Sequence, residues 1–390
     1  MPQTVVRFLY PRGPRLAASP AETTALRHIQ ALFNAHNIAT SEEEFASCSG
    51  MEWFYAVAYL FFPLGTVFFV VNIPLGLALV TLGLILLRAD FFLWPGINKI
   101  FALNARGRAV VAKIPSLEEI RFRVVVTANA DSRRVFPLFA KLPWLDRLGP
   151  YFMGVVDIAR LIHWLLYIAA AILNIFGLRY QISLLWRAST VSGVLSLCTC
   201  GIYLLHRMHG RPLNCANDNL TGLQVLVDAA AHMAAAPCQH TELLFAAVGS
   251  GRVGMLGTVH LIRKLKLDPD ATYFINLTSL GSGVVSMVSK EGWSRPINAS
   301  DELTGIGYLI GSNLPTPLEI NSTRQRRSDA TAARHYGFQA MTIAALQKNG
   351  WPEIRLKEED IVWANLDYTT YCLGLIIKTL DENHWKTVLA

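Results

Sequence analysis

Between Trp53 and Leu87 the chain carries no Asp, Glu, Lys or Arg, and no other feature limits its folding as strongly. One helix of that length would run ~50 Å at ~1.5 Å per residue, against the ~30 Å of hydrocarbon in a bilayer. Asn72-Ile73-Pro74 divides the run near its middle, and proline suits the first turn of a second helix, where its missing N–H is not needed. Two helices joined at this point are therefore expected. Two further uncharged runs, Leu161 to Leu178 and Ala188 to Leu205, each approach the ~20 residues that a spanning helix requires. A linker containing Arg179, Gln181 and Arg187 is expected between them. Buried helices of a soluble core seldom stay uncharged for ~18 residues, so the reading is four transmembrane helices in two hairpins. Residues 1–20 hold Arg7, Arg12 and Arg15 and no long apolar run. No removable signal peptide is expected, and the first hairpin would itself direct insertion.

Composition agrees with a membrane protein that also has a soluble part. Only 16% of the 390 residues are charged, and a mean hydropathy of +0.34 is too apolar for an ordinary soluble chain. The net charge of +7 fits attraction to anionic lipid headgroups better than nucleic acid, for which no motif is present. Arg88, Lys99, Arg106, Arg108, Arg147, Arg160, Arg207 and Arg211 flank the helices on one side. Only Arg179 and Arg187 belong to the opposite turns, so the positive-inside rule places the soluble part in the cytoplasm. The six cysteines show no paired or metal-ligand spacing and are read as reduced thiols.

Outside the apolar runs, strands alternate with helices. Residues 108–114, 121–127, 241–248, 272–278, 284–289 and 338–343 are short, rich in β-branched or aromatic residues and bounded by turn signals. Leu223, Leu226, Ala230 and Met233 give 218–235 a helical spacing, and 364–381 reads as a closing helix. Such alternation predicts an α/β sandwich with a largely parallel central sheet, with sites at the carboxyl ends of its strands.

Five segments carry a more specific pattern. They are Ala18-Ser19-Pro20-Ala21-Glu22 with the helix-like stretch after it in 15–45, Val124 to Ser132, Asn217-Asp218-Asn219-Leu220-Thr221-Gly222 with Val248 to Gly254, Tyr273 to Gly281, and Arg327-Ser328-Asp329-Ala330 with Gly337 to Ile343. In this order they resemble metallopeptidase family 28, the di-zinc aminopeptidases, whose corresponding motifs read Asn-Asp-Asn-x-Ser-Gly and Gly-Ser-Glu-Glu-x-Gly. The resemblance implies an aminopeptidase-like three-layer sandwich interrupted by the two hairpins. The expected division is 1–50, 96–150 and 209–390 for the peptidase-like domain, with 51–95 and 151–208 for the hairpins. Segments of one domain on both sides of each insertion require an even number of crossings, which a hairpin provides.

The resemblance also shows what has been lost. A co-catalytic zinc pair needs imidazoles and carboxylates around both ions and a further carboxylate as base. By resemblance the first histidine ligand falls at Asn129, a poor zinc ligand. Asp131 matches the aspartate that would orient it, and Asp218 matches the bridging carboxylate. Gly251 stands at the general base, Arg252 and Thr278 at carboxylate ligands, and Arg355 or Leu356 at the last histidine. Neither metal nor cofactor is expected. Asp218 would be left buried and uncompensated, so an ion pair between Arg252 and Asp218 is expected to fill the vacated site.

Other candidates read plainly. His206 and His209 are taken as an interfacial anchor rather than a metal site, and Cys238-Gln239-His240 as a turn before a strand. His163 and Asn174 are expected in interhelical hydrogen bonds. Arg324, Arg326, Arg327 and Asp329 are expected in a solvated loop. The functional expectation is an inactive, peptidase-like, multi-pass protein of the bacterial inner membrane, with its domain and both termini cytoplasmic. It would act as a scaffold or accessory subunit whose partners are other integral membrane proteins and, in addition, anionic lipids. The alternatives are an active membrane-bound zinc aminopeptidase and a peptide- or lipid-binding receptor that uses the old cleft. A filled cleft would favour the scaffold, and an open one lined by 279–283 and 323–329 the receptor.

Overall fold

The structure is a computed structural model that describes residues 4–91, 105–135, 143–177, 179–292, 296–315, 317–323 and 328–382. The chain forms two compact units: Met1–Ser49, Leu103–Arg133 and Pro212–Ala390 make the first, and Gly50–Ala102 with Arg134–Arg211 the second. The middle segment of the first unit thus stops at Arg133, short of the expected 150, because residues from Arg134 onward pack within the second unit.

The first unit is an α/β sandwich around a nine-stranded sheet. Its strands are β1 (Ala39–Ser47), β2 (Ala105–Ile114), β3 (Phe122–Asn129), β6 (Thr241–Val248), β7 (Thr272–Thr278), β8 (Val284–Glu291), β9 (Ile297–Asn298), β10 (Glu319–Thr323) and β11 (Gln339–Leu346). Two short strands, β4 (Arg134–Val135) and β5 (Arg211–Pro212), form a separate pair. The order is β1-β2-β6-β3-β7-β11-β8-β10, with β9 beside β8. At the centre, β6, β3, β7 and β11 run parallel. Parallel strands covered on both faces need apolar residues at every position, and β6 shows it: Leu243, Phe245 and Ala247 join one core while Leu244, Ala246 and Val248 join the other.

The first core is covered by α1 (Thr4–Leu9), α2 (Pro20–Ala35), α7 (Leu220–Ala235), α9 (Asp301–Ser312) and α11 (Trp363–Glu382). The second lies under α8 (Leu256–Leu265) and α10 (Asp329–His335). Residues 15–45 are not one opening helix. Ser19 caps α2, its Oγ accepting from Glu22 N at 3.2 Å, and beyond Asn37, at φ +57°, the chain turns into the edge strand β1.

The second unit contains α3 (Glu52–Val71), α4 (Ile73–Phe91), α5 (Pro143–Ile175) and α6 (Arg179–His209). The break at Asn72 falls where the proline placed it, and Asn72 Oδ1 accepts from Leu75 N at 3.1 Å. Among the described residues, three helical stretches are long and apolar enough to cross a membrane: Glu52–Val71, Val155–Ile175 and Leu184–His209. The fourth apolar stretch, Ile73–Arg88, is shorter. Arg179, Gln181 and Arg187 are not in a linker, since all three belong to α6. Arginine and glutamine are good helix formers, so the helix continues through them and Phe176 and Gly177 make the turn.

Some polar side chains inside this unit pair across helices. His163 Nε2 lies 3.4 Å from Thr66 Oγ1, and Ser192 Oγ donates to Ala159 O at 2.9 Å. Asn174, by contrast, is exposed at the end of α5. His206 faces Glu52 at 3.4 Å, so it links α6 to α3 rather than only anchoring the helix end. Glycines let α3 and α4 approach: a Cβ on Gly76 would lie 2.7 Å from Phe69 Cα and 2.9 Å from Gly65 O. Gly76→Leu is expected to destabilise the hairpin by about 1–3 kcal/mol through overpacking. A lowered midpoint in detergent unfolding, against an unchanged Gly201→Leu control whose Cβ meets open space, would show it.

Candidate functional site

Strands β3, β6 and β7 are parallel neighbours, so Asn129, Val248 and Thr278 end on the same edge of the sheet, where the following loops meet. Asp131, two residues past β3, is fully buried. Its carboxylate accepts from Gly251 N at 2.9 Å and Arg252 N at 2.8 Å. The residue that would orient a histidine in the resembled family thus holds a backbone turn here. Burial pushes this carboxyl up, while the charge of Arg252 opposes the shift. Asn129 is equally engaged: Nδ2 donates to Asp131 O at 3.1 Å and Oδ1 accepts from Asn219 Nδ2 at 3.2 Å. A Cβ on Gly251 would lie 2.6 Å from Asn129 Cβ, so the turn is closed to any side chain at the position of the former base.

The Asn217-Asp218-Asn219 loop leads into α7. Asn217 Oδ1 accepts from Gly281 N at 2.6 Å, and Asn219 bridges Leu277 O at 2.8 Å and Ser279 N at 3.1 Å. A Cβ on Gly222 would lie 2.6 Å from Leu277 O, which accounts for the glycine that closes the motif. These bonds fix Asp218, which has no exposed surface. Its Oδ2 accepts from Arg133 Nε at 2.7 Å, and its Oδ1 meets Arg252 Nη2 in an ion pair. One carboxylate therefore lies between two guanidiniums. Burial lowers Arg252 to about 10, with the charge of Arg133 acting the same way, and it stays cationic at neutral pH. Arg355 acts on the buried Cys215 alongside Arg133, Arg252 and Arg15.

Zinc chemistry has a poor fit to these residues. Both oxygens of Asp218 face guanidinium nitrogens, the amide of Asn129 is committed, and Gly251 offers no side chain. Among the described residues no three His, Cys, Asp or Glu side chains are grouped to hold a metal ion.

Beside the ion pair is a small cleft lined by Asn129, Gly251, Arg252 and Thr278, then by Glu291, Asp329 and several hydroxyl and apolar side chains. Asp329 is not in a solvated loop: it is 3% exposed and opens α10, which Ser328 caps in a capping box with Thr331. Arg324, Arg326 and Arg327 lie outside the described residues. Cys238-Gln239-His240 is a turn before β6, its Gln239 and His240 amides donating to Asp381 at 2.7 and 2.8 Å.

Several site residues escaped sequence reasoning. Arg133 follows Asp131 and carried no motif. Glu22, quoted only as part of a helix start, is buried and accepts from Ser250 N at 2.7 Å and Ala18 N at 2.9 Å. Burial, reinforced by the charge of Asp131, pushes it up to about 8. Glu291 ends a strand whose alternation gave no hint of a buried acid.

No protein-family model matches the sequence, and no curated protein sequence matches it. Solved structures do match in fold. An aminopeptidase from Aneurinibacillus sp. strain AM-1 is 12% identical, with 97% of this chain and 92% of that one covered and a TM-score of 0.54. A zinc aminopeptidase from Bacillus subtilis is 11% identical, with 96% and 93% covered and a TM-score of 0.54. Glutaminyl cyclase from Porphyromonas gingivalis is 11% identical, with 98% and 96% covered and a TM-score of 0.53. At such identities the likeness establishes the fold, an aminopeptidase-like α/β sandwich, and leaves the chemistry to the residues.

Proposed function

We propose that this chain is a catalytically silent, membrane-integrated protein whose aminopeptidase-like unit is a rigid scaffold or accessory subunit for other integral membrane proteins. The observation that carries the reading is Asp218 held between Arg133 and Arg252. A hydrolase of this fold needs that carboxylate for metal. Here both of its oxygens are engaged by guanidiniums, and the neighbouring Gly251 cannot supply a base. Absence of the base alone removes ~10²- to 10⁴-fold in rate. The apolar helices support insertion in a membrane, and the arginine-rich flanks support a cytoplasmic soluble unit in the bacterial inner membrane, with anionic lipids at its surface.

Two other readings compete. An active zinc aminopeptidase would have to assemble a site from one free-standing carboxylate set, against the ion pair. A receptor using the old cleft would have to bind at the small cleft next to that pair, and it is compatible with a scaffold. Metal analysis by elemental mass spectrometry of the gently solubilised, dialysed protein, with co-purifying proteins identified in the same preparation, tests the proposal. The expected result is substoichiometric zinc, background aminopeptidase turnover and a reproducible membrane partner. Stoichiometric zinc with turnover would overturn it.

A further inference from the structure

We draw no further inference here: the strongest candidate, the outward face of α6 at Val191, Val194, Cys198 and Leu205, where a Cβ on Gly201 would meet open space, carries nothing because nothing in the structure shows what covers it.

Discussion

Arg252→Glu is expected to destabilise the soluble unit by about 3–5 kcal/mol, the range found when one partner of a buried charge pair is removed. The variant does more than delete a cation. Asp218 has no exposed surface and would keep only Arg133, at 2.7 Å on one oxygen, while a new carboxylate faced the other. Asp131, whose oxygens accept the Gly251 and Arg252 amides, would add a third negative group to the same corner. Arg252→Met removes the pair without adding charge and should cost less. Adding Asp218→Asn to Arg252→Glu should recover part of the loss, because the facing charges are then no longer both negative. Pulse proteolysis in urea measures the order: wild type, then Arg252→Met, then Arg252→Glu. Equal midpoints for all three would show that the cation does not substitute for metal charge. Zinc should not rescue Arg252→Glu, because Asn129 and Gly251 remain unsuited to bind or use it.

The sandwich was legible because both of its layers follow from periodicity. Continuous apolar runs such as Leu243 to Val248 mark strands buried on both faces, and the 3.6-residue spacing after Asn219 marks the helix across them. The break at Asn72 was legible for a covalent reason, since proline fixes where a second helix starts. The second hairpin was misread where charge was equated with a loop. Arg179, Gln181 and Arg187 are compatible with helix, and among the described residues it is the turn at Phe176-Gly177 that precedes it. The edge strand β1 was hidden because Thr40 to Glu44 is polar, as a strand paired on one side and open on the other can be.

The site was legible in part and for a different reason. Motif order located Asn129, Asp131, Asp218, Gly251, Arg252 and Thr278, and charge balance gave the pairing of Arg252 with Asp218. Arg133 was not foreseen, although it is the second half of that balance. It lies in the loop after β3, where direction depends on three-dimensional closure rather than spacing. The burial of Glu22, Glu291 and Asp329 was not foreseen for a shared reason: acids are expected at surfaces. Their burial is a property of the assembled cleft, and a single sequence carries no signal for it.

Glu291→Gln is expected to make the protein more stable than the wild type at pH 7.5 and to flatten its stability between pH 4.5 and 7 by about 3 kcal/mol. Burial pushes the Glu291 carboxyl up to about 7, against the hydrogen bonds from Thr342 and Ser328, with the charge of Asp329 adding to the rise. The unfolded chain releases this proton near 4.5. Between those values the native state holds a proton that the unfolded state has lost, so stability is full below about 4.5 and declines until about 7. Glu22, pushed up to about 8, and Asp329, pushed up to about 6, slope the same way. Glu242 runs opposite, because Lys113 and Arg123 hold its carboxyl below the usual range, and its share is lost as the pH falls. The amide in Glu291→Gln can still accept from Thr342 and Ser328, so the change isolates the proton. Urea midpoints read by pulse proteolysis from pH 4.5 to 8 should diverge from the wild type only as the pH rises. Parallel profiles would mean that Glu291 is already ionised beside a cation in the native cleft.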